Sequence, residues 1–130
     1  MKISTTSIFV QDQARAAAFY TEVLGFVVRH DVPVGEHRWL TVVSPEDPEG
    51  TELLLEPNVH PAAKAYMEAL YAEGIPAQQF EVADLAATVE NLKEAGVRFS
   101  QDPTPAGPVE YAVLDDTCGN YLQLVSPLQS

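Results

Sequence analysis

Basic residues are scarce in this 130-residue chain: seven Lys and Arg stand against 19 Asp and Glu, a formal net charge of −12. Nucleic acid and anionic membrane surfaces are gripped by Lys/Arg patches, so neither is expected as a partner. The acidity reads as a solubility device, or as a field that favours a cationic ligand. Cysteine is reduced to Cys118. A single thiol makes no intramolecular disulfide, which removes an oxidative scaffold and points to a cytoplasmic location. Long apolar runs are missing as well. Ile3–Val10 is interrupted by Ser and Thr, follows a single Lys and is too short for a bilayer, so neither an export signal nor a membrane anchor is expected. The glycines follow no phosphate-loop spacing. No Ser–His–Asp or Cys–His arrangement can be placed, since Cys118 sits in a turn with no His near it. What remains, 46% hydrophobic and 20% charged, is the composition of one globular domain with a real core.

What is present is a pattern that occurs twice. Ile3–Val10 reads as a strand ended by Asp12. Ala16, Phe19, Tyr20, Val23 and Leu24 then share a helix face, with Asp12 as N-cap and Gly25 as the stop. Three strand-like runs follow, Phe26–Asp31, His37–Ser44 and Glu52–Glu56, parted by turn-rich stretches. The order then recurs. Gln78–Val82 is a strand, Asp84 caps a helix with Leu85, Val89 and Leu92 inward, Gly96 ends it, and Val97–Ser100, Val109–Asp115 and Tyr121–Val125 are strands. Val10-Gln11-Asp12 matches Val82-Ala83-Asp84, and Leu24-Gly25-Phe26 matches Ala95-Gly96-Val97. Between the halves, His60–Glu73 is expected to be a connecting helix, begun at Pro61 and ended by Gly74 and Pro76, with Tyr66, Met67 and Leu70 as its packing stripe. The expected organisation is one domain over residues 1–130: a module at 1–57, a connecting helix at 58–75 and a second module at 76–130. The fold class is α+β. Each βαβββ module exposes a sheet face that it cannot bury alone, so two of them imply a curved, partly open sheet or barrel.

The run Ala18-Phe19-Tyr20-Thr21-Glu22-Val23-Leu24-Gly25-Phe26, entered through Asp12, resembles a signature of the vicinal-oxygen-chelate superfamily, which comprises glyoxalase, bleomycin-resistance and ring-cleaving dioxygenase relatives. Asp116-Thr117-Cys118-Gly119-Asn120, leading into Tyr121-Leu122-Gln123-Leu124, is similar to its second marker. The resemblance covers essentially the whole chain. It implies two βαβββ modules around a cavity, commonly shared across a homodimer, with chemistries from lactoylglutathione isomerisation to sequestration of bleomycin-type drugs.

In metal-dependent relatives, each module supplies one ligand from its first strand and one from its last. The matching positions here are Thr5, Leu54, Ala77 and Gln123. A divalent transition ion wants His nitrogen or carboxylate oxygen at about 2.0–2.2 Å, and of these four only Gln123 offers even a neutral amide oxygen. No metal and no cofactor is expected in this register. A shift of two residues along the strand would bring Glu52 or Glu56 into place, since strand faces alternate.

Alternation also sorts the cavity lining. Ile8, Val10, Leu40, Val42, Leu53 and Leu55 are expected to pack on the helices. Thr5, Ser7, Phe9, His37, Trp39, Thr41, Glu52, Leu54, Glu56, Gln79, Glu81, Tyr121, Gln123 and Val125 would then face inward. The candidate ligand-binding set is Thr5, Ser7, Trp39, Glu52, Leu54, Glu56, Gln79, Tyr121 and Gln123, an aromatic and apolar surface with a few carboxylates and amides. Trp39 beside a glutamate suits a flat cation, although a lone Trp serves equally as a core or dimer contact. His30 and His37 read as surface residues and His60 as a helix-start residue. The function expected is binding of a small organic molecule, metabolite or drug, in a metal-free cavity of a homodimer. The alternative is a metal-dependent lyase, isomerase or dioxygenase using Glu52 or Glu56, and a third reading makes one of those carboxylates a metal-independent acid or base.

Overall fold

The computed structural model describes residues 1–128, so the last two residues of the expected second module lie outside it. Its elements run β1 (Thr5–Val10), α1 (Gln13–Ala18, continued by a π-helical turn, Phe19–Val23), β2 (Val27–Val34), β3 (His37–Val43), β4 (Glu52–Pro57), α2 (Pro61–Ala72), β5 (Pro76–Glu81), α3 (Leu85–Glu94), β6 (Phe99–Ala106), β7 (Val109–Asp115) and β8 (Tyr121–Pro127). The chain divides into two compact units, Met1–Tyr66 and the remainder from Met67. Each is a four-stranded sheet, ordered β1-β4-β3-β2 in the first and β5-β8-β7-β6 in the second. The fold is therefore α+β with the repeated βαβββ order that the sequence pattern implies. Each sheet keeps two edges, so neither closes into a barrel.

The repeat is built by equivalent local devices. Asp12 Oδ1 accepts from the Arg15 N–H at 3.0 Å, and Asp84 Oδ1 from the Ala87 N–H at 3.1 Å. These caps satisfy donors that the first helical turn leaves without partners. Gly25 and Gly96 end the helices at φ of 88° and 91°, a backbone region that side chains disfavour.

In the first unit Ile8, Val10, Leu40, Val42, Leu53 and Leu55 are buried, and α1 lies against β3 and β4. In the second, Leu85, Val89, Leu92, Ala112, Leu114, Leu122 and Leu124 are buried. Each buried Val, Leu or Ile among them contributes roughly 1.5–3 kcal/mol of hydrophobic stabilisation.

Three expectations need correction. The second strand of each module is longer than expected: β2 runs on through Pro33, and β6 through Pro103 and Pro105. Both are edge strands, where a residue without an N–H leaves no neighbour unsatisfied. Bulges at Val28/His30 in β2 and at Phe99/Gln101 and Gln101/Thr104 in β6 accompany this. Tyr66 is not part of the α2 stripe. It is 58% exposed, while Ala63 and Met67 are buried and Leu70 is half-buried, the spacing of a single helix face. The first strand starts at Thr5, not Ile3, which is exposed.

Candidate functional site

The register of the first sheet gathers six of the candidate residues on one face. β1 and β4 pair in parallel, setting Thr5 beside Glu52, Ser7 beside Leu54 and Phe9 beside Glu56. β3 adds Thr41 opposite Leu54, which puts Trp39 on the same face, and β2 adds His30 opposite Thr41 and Val32 opposite Trp39. The opposite face carries the helix-packed aliphatics, because strand side chains alternate. The candidate face is open in part: Trp39 is 44% exposed, Ser7 is exposed, Thr5, Glu52 and Glu56 are half-buried, and Leu54 is buried.

His30 is a residue that sequence reasoning missed. Read as a surface side chain, it places Nε2 3.5 Å from Glu52 Oε1. Thr41, wholly buried, ties the group together: its Oγ1 accepts from the His30 N–H at 3.2 Å and donates to Glu52 Oε1 at 2.7 Å. No local pattern in the sequence marks this cluster. It arises from cross-strand register between β2, β3 and β4.

Gln13 was a second omission. Buried at the start of α1, it donates from Nε2 to the carbonyls of Arg38 (2.7 Å) and Leu55 (2.9 Å), and its Oε1 accepts from the Arg38 N–H (3.0 Å). It stands in for strand partners where β3 and β4 part, since their register pairs only Thr41 with Leu54 and Val42 with Leu53. The parting lies at the Trp39 end of β3. Arg38 itself forms a two-point pair with Asp31 at 2.9 and 2.8 Å, which holds the Asp31 carboxyl below its ordinary range.

In the second unit Gln79 and Gln123 face each other across β5 and β8, and Gln123 Nε2 donates to Gln79 Oε1 at 2.6 Å. They are the counterparts of Ser7 and Leu54. Tyr121 stacks on Tyr71 of α2 with centroids 4.5 Å apart and planes 9° from parallel. The Tyr71 hydroxyl donates to Asp115 Oδ2 at 2.5 Å. That bond, then burial and the neighbouring Tyr121 hydroxyl, push the Tyr71 pKa well above its ordinary value. A shallow concavity of about 240 Å³ lies here, lined by Tyr71, Arg98, Phe99, Ser100, Asp115 and Tyr121. The turn before Tyr121 is a knot around Asp116, whose Oδ1 accepts from Cys118 and Asn120 N–H groups at 2.7 and 3.0 Å, with Asn120 Nδ2 on Oδ2 at 2.9 Å. Cys118 is buried within it.

The positions assigned by resemblance to metal ligands hold a hydroxyl (Thr5), two hydrocarbons (Leu54, Ala77) and an amide (Gln123) engaged with Gln79. That donor chemistry does not fit a divalent transition ion. Ala77 moreover falls in a bulge of β5, between Pro76 and Gln78. Among the described residues no three His, Cys, Asp or Glu side chains come together as a metal-binding group, and no helix is long and apolar enough to cross a membrane.

Known proteins share both the sequence and the fold. The Glyoxalase/Bleomycin resistance protein/Dioxygenase superfamily profile matches residues 2–124. The uncharacterized protein YurT of Bacillus subtilis (strain 168) is 58% identical over 125 residues, covering 96% of this chain and 98% of YurT. The crystal structure of UcmS2 matches with a TM-score of 0.83 and 36% identity, over 96% of this chain and 97% of that one. TnmS3, an antibiotic binding protein from Streptomyces sp. CB03234, matches with a TM-score of 0.76 and 24% identity, over 98% and 97% of the two chains.

Proposed function

The chain belongs to the Glyoxalase/Bleomycin resistance protein/Dioxygenase superfamily, and from that premise we propose that it binds a small organic molecule, a metabolite or drug, without a metal. The observation that carries the reading is the face of the first sheet, where Trp39 stands 44% exposed among Ser7, Leu54, Glu52 and Glu56. An indole left open on the same face as two carboxylates is suited to a flat, apolar ligand of neutral or positive charge. The donor chemistry at the four metal-ligand positions supports binding over Lewis-acid catalysis. TnmS3 shows the same fold serving an antibiotic-binding protein. Gln79, Tyr121 and Gln123, the remaining candidates, share one face of the second sheet, which we propose as a ligand-contacting surface of that unit in its own right. We further propose a cytoplasmic homodimer. Val27, Val28, Val32 and Val34 are all exposed on the edge strand β2, an apolar edge that a second copy would cover.

The test uses Trp39, the single Trp of the chain, as reporter. Titration with a panel of planar aromatic compounds is expected to shift or quench its emission saturably, and equally so in EDTA. Trp39→Phe is expected to lose affinity for the same compounds, read by equilibrium dialysis. A panel that leaves the emission unchanged, or binding that vanishes on chelation, overturns the reading.

A further inference from the structure

We propose that Glu52 selects the ligand of this face, and that it selects for a planar aromatic molecule presenting an N–H donor. The inference rests on the reading that the face of the first sheet is the binding surface.

Thr41 decides the geometry. A hydroxyl has one proton. Because Oγ1 accepts from the His30 N–H, that proton is directed to Glu52 Oε1, 2.7 Å away. His30 Nε2 approaches the same oxygen at 3.5 Å. Both contacts converge on Oε1, and Oε2 has no hydrogen-bond partner among the described residues. The carboxylate is thus fixed at one oxygen and open at the other, on the face that also carries Trp39. A group already held in place loses little freedom when a ligand engages it. An acceptor-only oxygen rewards a ligand N–H, and a charged acceptor does so more strongly than a neutral one.

The second module shows that the fold does not require this cluster. By register Gln101, Val113 and Tyr121 occupy the places of His30, Thr41 and Glu52. The same four-stranded sheet forms there with an amide, a hydrocarbon and a phenol at these three places. The His30–Thr41–Glu52 cluster is therefore a property of one module's face rather than of its folding.

Equilibrium dialysis of the full chain against three acridines of one shape tests this: 9-aminoacridine (a cation with N–H donors), 10-methylacridinium (a cation without) and acridine (neutral at pH 8). The unmodified protein is expected to hold 9-aminoacridine at least about 10-fold more tightly than 10-methylacridinium. Glu52→Gln is expected to erase that preference while changing acridine binding less than about threefold. Thr41→Val, which frees the carboxylate, is expected to remove part of it. Equal affinity of the unmodified protein for the two cations overturns the inference without any variant. So does a Glu52→Gln protein that keeps the preference. If none of the three acridines binds, the binding-surface reading itself fails. If all three bind without preference, that reading stands and this inference alone falls.

Discussion

The two modules begin their helices identically and diverge one residue later. Asp12 and Asp84 cap in the same way, but the next residue is Gln13 in the first and Leu85 in the second. Leu85 is a fully buried hydrocarbon, and β7 and β8 pair along seven positions from Val109↔Pro127 to Asp115↔Tyr121. Gln13 is also buried, yet it replaces the ladder between β3 and β4 with its own amide, and those strands pair at two positions. One repeat plan thus carries a fully laddered strand pair and a parted one. The parted pair lies in the sheet bearing Trp39 and the polar cluster. The difference teaches that a duplicated scaffold can join equivalent strands by a backbone ladder in one copy and partly by a side-chain amide in the other.

The largest expected effect comes from forcing the second module to resemble the first. Leu85→Gln buries an amide where β7 and β8 already satisfy one another, and removes apolar packing. It is expected to cost about 4 kcal/mol in urea unfolding. The reverse change, Gln13→Leu, leaves the Arg38 N–H and the Arg38 and Leu55 carbonyls without their partner. A loss of about 2–3 kcal/mol is expected, together with a shift in Trp39 emission as the adjoining end of β3 adjusts. If Gln13→Leu is neutral, the amide is not what bridges the strands, and the comparison breaks at its root.

The smallest effect concerns a lock that the second module alone possesses. Val43 and Glu52 stand where Asp115 and Tyr121 stand in the second module, so the first has no counterpart of the Tyr71–Asp115 bond. Tyr71→Phe is expected to cost about 1 kcal/mol at neutral pH. The sign of its pH dependence follows from the raised pKa. The folded protein keeps the Tyr71 proton where the unfolded chain, with an ordinary value of 10.0, sheds it. The stabilisation is therefore complete below about pH 10 and is lost as the pH rises beyond it. Unfolding free energies of the two proteins are expected to be parallel up to about pH 9, with the unmodified protein then falling faster. Phenolate absorbance of the folded unmodified protein, compared with that of Tyr71→Phe, should show that the phenol lost from the variant is one that titrates late. A Tyr71→Phe protein with the same late-titrating phenol would assign the lock elsewhere.

How far the sequence reached depends on the range of the interaction involved. Helix starts, glycine stops and inward aliphatics were legible because each is decided within a few residues, and they return at Asp12, Gly25, Asp84 and Gly96 as expected. The tails of β2 and β6 were not, because proline is hostile to a strand in general and harmless at an edge, and which strand lies at an edge is a property of the whole sheet. Tyr66 was misplaced because the α2 sequence offers two overlapping stripes, and only packing chose Ala63, Met67 and Leu70. Alternation alone placed Trp39, Glu52 and Leu54 together, and the register of β1, β3 and β4 carries them on one face.

By itself, then, the sequence determined the duplicated βαβββ plan, its α+β class and the residue types available on the open face. These follow from caps, turns and period-two alternation, all of which act locally. Only tertiary structure decided that His30 meets Glu52 through Thr41, and that Gln13 bridges β3 and β4. Both depend on which residue of one strand stands beside which residue of another. That choice is fixed by the burial of whole faces and by bulges such as the one at Val28/His30, not by any property of the residues that it brings together.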